Sequence, residues 1–530
     1  MFKENQKAVK TVDPTMDAFI DSLQKKIDYL ENRNKFLYEQ LQLAIQKLYS
    51  RLSERYSEPD DNLQRSLFED IKNIIEEIVP EEKLTSVTVK EHTRITGGRK
   101  PLPENLPRFE VIHDISEAEK QCGCGSIKSR IGEEKSEKLQ VDPPRFWVEV
   151  HTRPKYACRN CEGVDDEGRT VSIAPVPPQI IPKSFAGSSL IAHLLIGKFC
   201  DALPFYRQEQ QFKRYDVQIT RSTMCYWFLY VAQSLKPLLK QLKQWVLSGP
   251  LINADETPFQ VLKEPGRPPD SKSYKWVFMG GPPDRPGIYF QYSPSRGGFV
   301  ASDFLGDYKG YVQTDGYKGY NFLSKNNSIT HFGCLAHVRR KFKDVINAFG
   351  KKNKTVSAEN SKANYALRKI GDLYLIEREA RKANLTESEL CQLRQQKSVP
   401  ILKELESWLE ETLPKVPPQC LLGRALNYMA NQWPLITEYV NNGIVPMDNN
   451  LVENAIRPFA IGRKNFLFSV TPSGAESSAL FYSLIETAKA NGLEPYKYLK
   501  YLFEEFPKAN TREEISNLLP MNISNQELKK

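Results

Sequence analysis

The sequence predicts an α/β chain of several domains, and three observations carry that expectation. At 530 residues the chain is long enough for several domains, each with a sizeable core. Between Leu251 and Phe349, segments with strand-like alternation are interleaved with segments of helical period. Two close cysteine pairs, Cys122-Gly123-Cys124 and Cys158-Arg159-Asn160-Cys161, stand apart from that stretch and mark a small unit of their own.

Composition bounds the function without naming it. Hydrophobic residues make up 40% and charged residues 26%, as in ordinary globular proteins. Lys and Arg total 74 against 65 Asp and Glu, a net charge of +9 that permits a polyanionic partner without demanding one. The start, Met1-Phe2-Lys3-Glu4-Asn5, has no apolar leader core and no long apolar run follows, so a cytoplasmic chain without a membrane span is expected. The 9 cysteines are an odd number, which favours metal binding in a reducing compartment over a disulfide framework.

In chain order, residues 1–55 are expected to form a coiled-coil helix. Ile20, Leu23, Ile27, Leu30, Leu37, Leu41, Ala44 and Leu48 recur at steps of three and four, and Asn34 interrupts the seam where a polar residue fixes register and dimer state. The alternative is an amphipathic helix packed on its own chain. Residues 56–115 hold a second helical pattern, Leu63 to Ile78, and a basic, turn-rich linker, Gly97 to Pro103. Residues 116–175 form the cysteine unit. Zinc favours four tetrahedral thiolates, which Cys122, Cys124, Cys158 and Cys161 would supply in a zinc-ribbon-like unit holding a structural zinc. The C-x-C first half is irregular, and four free thiols are the alternative. Phe146, Val148 and Val150 alternate as in a strand, with His151 read as a strand residue.

Residues 176–248 read as a helical domain. Two helices, Phe205 to Arg214 and Thr220 to Trp227, flank a turn at Asp216-Val217-Gln218. That pattern suits both a DNA-reading helix-turn-helix and an ordinary helix pair. Residues 249–346 begin the core with strands at Leu251–Leu262, Tyr274–Met279 and Ile288–Tyr292, then a helix at Phe299–Leu305. A strand at Tyr311–Gln313, another at Ser328–Cys334 and a basic helix from Ala336 to Phe349 follow. These elements run β-β-β-α-β-β-α and are read as a ribonuclease-H-like fold, whose order is β-β-β-α-β-α-β-α. Residues 347–445 form a helical insertion, with Leu367, Ile370 and Tyr374 on one face and Ile401, Leu405 and Leu409 on another. Residues 446–510 return to the core, with Asp448 or Asn449 capping the next helix. Residues 511–530 are a tail whose last dozen residues are expected to be disordered.

Three acids fall where such a core carries its chemistry: Asp255 on the first strand, Asp315 at the end of the fourth and Glu453 on the late helix. Magnesium takes hard oxygen ligands. Two magnesium (or manganese) ions about 4 Å apart stabilise both the entering and the leaving oxygen of a phosphodiester displacement. Each acid also has a plain reading. Asp255 suits a strand-end ion pair, Asp315-Gly316 a turn, and Glu453 a pair with Arg457 one helical turn on. Glu256 should point to the other sheet face. Arg339, Arg340 and Lys341, with Arg457, Arg463 and Lys464, are candidates for phosphate contacts or simply solvated helix faces. Cys334 and His337 follow the fifth strand and are read as supporting residues near the acids.

At these residues the chain resembles the transposases of the insertion-sequence 66 family. The matching runs include Leu203-Pro204-Phe205-Tyr206-Arg207, Ala254-Asp255-Glu256-Thr257-Pro258, Gln313-Thr314-Asp315-Gly316-Tyr317, Cys334 to Phe342, Asp448-Asn449-Asn450 with Glu453, and Gly462-Arg463-Lys464-Asn465. The resemblance implies a DDE-type transposase of a bacterial mobile element, with Asp255, Asp315 and Glu453 as the catalytic acids. It implies action on double-stranded DNA at terminal inverted repeats, cleavage and strand transfer, multimers on paired ends and small accessory proteins from the same element. A nucleoid-associated protein is expected. A DNA-binding protein that no longer cuts, and a nuclease on the same fold, are the alternatives.

Overall fold

The computed structural model describes residues 22–31, 33–34, 37–38, 40–41, 145–156, 172–349 and 358–529. The chain divides into two compact units, one of Met1–Val79 with Pro177–Lys530 and one of Pro80–Val176.

In the Pro80–Val176 unit, two-residue strands Lys155–Tyr156 and Ser172–Ile173 pair antiparallel. The strand expected over 146–150 does not form. Trp147, Val148 and Val150 are 69%, 88% and 84% exposed, and alternation without a ladder partner leaves nothing to hold an extended chain. Cys122, Cys124, Cys158 and Cys161 lie outside the described residues, as does the helix expected over Leu63 to Ile78. At the amino end of the other unit the described residues between 22 and 41 are helical. Their seam residues Leu23, Ile27, Leu30, Leu37 and Leu41 are between 44% and 55% exposed, so the chain itself does not cover the seam.

The main unit begins with helices α1 (Ser188–Phe199), α2 (Phe205–Lys213), α3 (Arg221–Ser234) and α4 (Lys236–Val246). The expected turn between α2 and α3 is present, with Asp216 at φ 58°, and the Thr220 hydroxyl caps α3 by accepting from the Thr223 N–H at 3.2 Å. Met224, Trp227, Phe228 and Val231 bury the inner side of α3.

The sheet follows: β1 (Leu251–Val261), β2 (Lys272–Gly280), β3 (Gly287–Ser293), helix α5 (Phe299–Leu305), β4 (Gly310–Gln313) and β5 (Ile329–Phe332). Then come α6 (Leu335–Phe349), α7 (Ala358–Lys382), α8 (Glu387–Leu393), α9 (Val399–Thr412), α10 (Leu421–Thr437), α11 (Asn450–Phe466), a short strand β6 (Phe468–Ser469), α12 (Pro472–Ala490), α13 (Pro495–Glu505) and α14 (Arg512–Asn517). The strand order is β3-β2-β1-β4-β5. β1, β2 and β3 form an antiparallel meander, while β4 and β5 run parallel to β1.

Central β1 is covered on both faces, which explains why its residues do not alternate cleanly between apolar and polar. On one face Phe278 stacks on Phe304 of α5 at 3.7 Å between ring centroids, and Trp276 meets Tyr320. On the other, Phe259 meets Phe459 of α11 and Phe290 meets Tyr482 of α12. The edge strand β3 is capped by α12: the Thr487 hydroxyl accepts from the Ile288 N–H at 2.9 Å and the Ser483 hydroxyl from the Phe290 N–H at 2.7 Å. An edge whose N–H groups are taken by side chains offers no template to another strand.

The insertion is a second core. Leu367, Ile370, Tyr374, Leu405, Leu409 and Leu426 pack together with Phe342 and Val345 of α6. The carboxyl end departs from expectation. Leu518, Leu519, Met521, Ile523 and Leu528 are all buried, and they join the main core beside α13. The spaced apolar side chains outweigh the polar composition that suggested disorder.

Candidate active site

The site sits at an interruption in the sheet. β1 pairs with β4 only as far as Asn253↔Gln313 and with β6 only from Gln260↔Phe468, so residues 254–259 have no strand partner on that side. Helix α11 fills the gap. Asn449, just before it, donates from Nδ2 to the Ala254 carbonyl at 3.0 Å and accepts on Oδ1 from Asn253 Nδ2 at 2.8 Å. Arg463, near its far end, donates to the Thr257 hydroxyl at 2.8 Å and to the Pro258 carbonyl. A helix held at both ends on one strand has its first turn fixed in place, and Glu453 is in that first turn.

Of the two residues expected to cap the helix, the Asn449 side chain is spent on β1, and the carboxylate that accepts from the Asn450 N–H at the start of α11 is Asp448, at 3.2 Å. Arg463, expected on DNA, is bonded to the Thr257 hydroxyl and Pro258 carbonyl of β1. Arg339, from the same expected set, is only 7% exposed. Arg340, Lys341, Arg457 and Lys464 remain on the surface.

Asp255 lies in the gap on the α11 side of the sheet, and its Oδ1 accepts from the Glu256 N–H at 2.8 Å. Asp315 follows β4 by two residues, and its Oδ1 accepts from the Tyr317 N–H at 3.0 Å. Burial, then the neighbouring charges of Glu256, Asp315 and Glu453, push the Asp255 carboxyl well above its ordinary value of 3.8. Asp315 and Glu453 are thus near enough to act on Asp255 electrostatically, while the close group of donor atoms around Glu453 is made with Cys334 and His337. Glu453 Oε2 accepts from Arg340 Nη2 at 2.9 Å, and its Oε1 is 3.5 Å from His337 Nδ1. The partner of Glu453 is therefore Arg340, not Arg457.

The donor set fits a divalent cation. Glu453 Oε1 and His337 Nδ1 are buried without a hydrogen-bond partner. A Cys334, a His337 and a Glu453 donor atom lie within 4.8 Å of one another. With one carboxylate, one imidazole nitrogen and one sulfur, this close group has the donors of a transition-metal site, whereas magnesium would need the oxygens of the acids. Cys334 has a structural duty as well: its Sγ accepts from the Asn449 N–H at 3.2 Å, tying the start of α6 to the start of α11.

Sequence reasoning missed several residues here. Glu256 was set aside as facing away, and it does lie on the α5 side of the sheet, with Tyr320 donating to Oε2 at 2.7 Å and Arg296 Nε to Oε1 at 2.8 Å. Tyr428 of α10 packs on the loop after Asp315: a Cβ at Gly316 would stand 2.5 Å from its hydroxyl, so glycine is required there by close approach rather than by a turn. Lys341 Nζ lies 5.6 Å from the Tyr428 ring centroid, so the insertion helps build the site wall. Nothing in the local patterns around Arg296 or Tyr428 marks them, because their partners are distant in sequence.

Family profiles match most of the chain. "Transposase IS66 family" covers residues 183–477. The chain belongs to the IS66 transposase family. Within that family, the profile "IS66 C-terminal element" covers 483–521, "zinc-finger binding domain of transposase IS66" covers 119–162, and "Transposase C of IS166 homeodomain" covers 37–111. The zinc-finger match spans Cys122, Cys124, Cys158 and Cys161, so this IS66 chain carries a zinc-binding domain. Among curated proteins it resembles the uncharacterized protein y4jD of Sinorhizobium fredii, 32% identical over 79% of this chain and 81% of that protein. Uncharacterized protein y4qI of the same organism is 30% identical over 81% of this chain and 79% of its own length. Among the described residues, no helix is long and apolar enough to cross a membrane.

Proposed function

We propose that this chain is a DDE transposase that cuts and joins double-stranded DNA at the ends of its own element, with Asp255, Asp315 and Glu453 as its catalytic acids. The observation that supports the reading is the placing of Asp255 in the gap of β1 and of Glu453 in the first turn of the helix bonded to that strand, with the charge of Asp315 also acting at Asp255. The strand order and the helix laid over the gap in β1 support a ribonuclease-H-like core. Two magnesium or manganese ions held by these acids would supply charge neutralisation and an activated attacking oxygen. The chain's own residues do the rest. Asp255, held in the central strand, would be one of the residues that hold the ions. Asp315 is held by the Tyr317 N–H, and Glu453 is oriented by Arg340 and the fixed first turn of α11. Positioning is the protein's contribution to phosphoryl transfer, since no covalent intermediate is needed.

Arg340, Lys341, Arg457 and Lys464 are assigned to DNA phosphates, and Cys122, Cys124, Cys158 and Cys161 to a structural zinc. The exposed seam between residues 22 and 41 is assigned to a homomeric coiled coil that pairs two element ends.

Purified full-length protein and labelled element ends test the reading. Magnesium or manganese should yield nicked and joined strands, and Asp255→Asn should yield none while still binding the ends. Cleavage without joining points instead to a nuclease. Binding without cleavage by the wild-type protein points to a DNA-binding protein derived from a transposase.

A further inference from the structure

Glu256 and Arg296 make an ion pair that the acids do not account for. The Glu256 side chain is 1% exposed, while Arg296, its partner at 2.6 Å from Nη2, is 43% exposed. A buried carboxylate beside Asp255 raises the cost of charge at the site, so its retention calls for a use. Its hold on Arg296 supplies one. The pair uses Nε and Nη2 on a single carboxylate oxygen. Nη1 takes no part in it, and a guanidinium carries five N–H donors in a rigid fork.

The surroundings keep the guanidinium in one place. It stacks on the Tyr317 ring at 3.9 Å from the centroid. The Tyr317 hydroxyl donates back to the Arg296 carbonyl at 2.9 Å. Tyr317 is also the residue whose N–H binds Asp315, so one loop holds both the acid and the platform for the arginine. The Arg296 and Tyr317 loops touch backbone to backbone: a Cβ at Gly298 would lie 1.9 Å from the Gly319 carbonyl oxygen. Arg296 and Asp315 are near enough to interact electrostatically. Arg296 therefore meets the acids at the Asp315 end, where the loop that carries Asp315 also carries its Tyr317 platform.

We propose that Arg296 binds a non-bridging oxygen of the scissile phosphate through Nη1, with Glu256, Tyr317 and Tyr320 as the residues that position it. This rests on the transposase reading given above. A preorganised cation aimed at charge that grows in the transition state is the kind of donor whose loss costs about 10²- to 10³-fold in rate.

The test pairs a protein change with a substrate change. Arg296→Ala is made together with Glu256→Gln, so that no buried carboxylate is left uncompensated. Arg296→Lys, which keeps a charge on Glu256, serves if the double variant does not fold. Each protein is given end DNA carrying either a normal phosphate or a neutral methylphosphonate at the scissile position. The expected result is a cleavage loss of about 10²-fold or more with end binding unchanged. The two methylphosphonate diastereomers each remove one non-bridging oxygen, and for one of them the penalty should be smaller in the variant than in wild-type protein, because the Arg296 contact it removes is already gone. A variant that cleaves at the wild-type rate, or that suffers the full wild-type penalty with both diastereomers on top of its own loss, overturns the assignment of Arg296 alone. Absence of metal-dependent cleavage by the wild-type protein overturns the transposase reading and this inference with it.

Discussion

Asp255 concentrates the cost of the site. Buried beside Glu256, Asp315 and Glu453, its carboxyl resists ionisation, and a bound divalent ion removes that resistance. Magnesium or manganese should therefore raise the melting temperature of the wild-type protein, and Asp255→Asn should lose most of that rise, as followed by calorimetry. A second titrating residue lies outside the acids. His331 on β5 shares a 2.8 Å hydrogen bond with the Thr314 hydroxyl, and burial lowers its pKa from 6.5 to about 4. The unfolded chain then takes up a proton that the folded chain refuses, so stability is full above about pH 6.5 and falls as pH drops towards 4. The loss reaches at most roughly 3 kcal/mol. His331→Gln should flatten the stability curve across that window, and urea midpoints measured at several pH values check it.

At the scale of elements, what aligns the site is the fit of helices onto strands. The capping of β3 by α12 rests on two hydroxyls. Thr487→Val keeps the shape but leaves the Ile288 N–H buried and unpaired, and should cost about 1–3 kcal/mol in a denaturant titration. The insertion has its own lock. Arg394 is 1% exposed and donates from Nε and Nη2 to Glu377, each at 2.7 Å. Its Nη1 binds the carbonyls of Tyr439, Asn442 and Val445, which lie just before the return to Asp448. Arg394→Met should destabilise by about 3–5 kcal/mol, since it strands a buried carboxylate. The added Glu377→Gln change should recover part of that loss, measurable by the same unfolding assay. The strands expected at 251–262, 274–279 and 288–292 and the helix at 299–305 were legible in the sequence, because alternation and period are local properties. The helix filling the gap in β1 was not, because Asn449 and Arg463 find their partners on a strand nearly two hundred residues earlier.

For the whole molecule, the exposed seam near the amino end and the compact main unit suggest separable tasks. Leu23, Ile27 and Leu30 bury little within the chain, so Ile27→Lys with Leu30→Lys should cost the folded main unit almost nothing. On the proposed homomeric coiled coil it should lower the assembly mass seen in light scattering, and strand transfer between paired ends should fall while nicking of a single end persists.

The sequence by itself determined the family, the zinc-binding unit, the succession of strands and helices, and the three acids worth suspecting. Each of these is written in short motifs or in periodicity, which neighbouring residues set together. Only the tertiary structure decided that Arg339 is withdrawn from solvent, that Arg463 is bonded to β1, and which carboxylate holds Arg296. Burial and partner choice depend on what the rest of the chain brings alongside, and no local pattern records that.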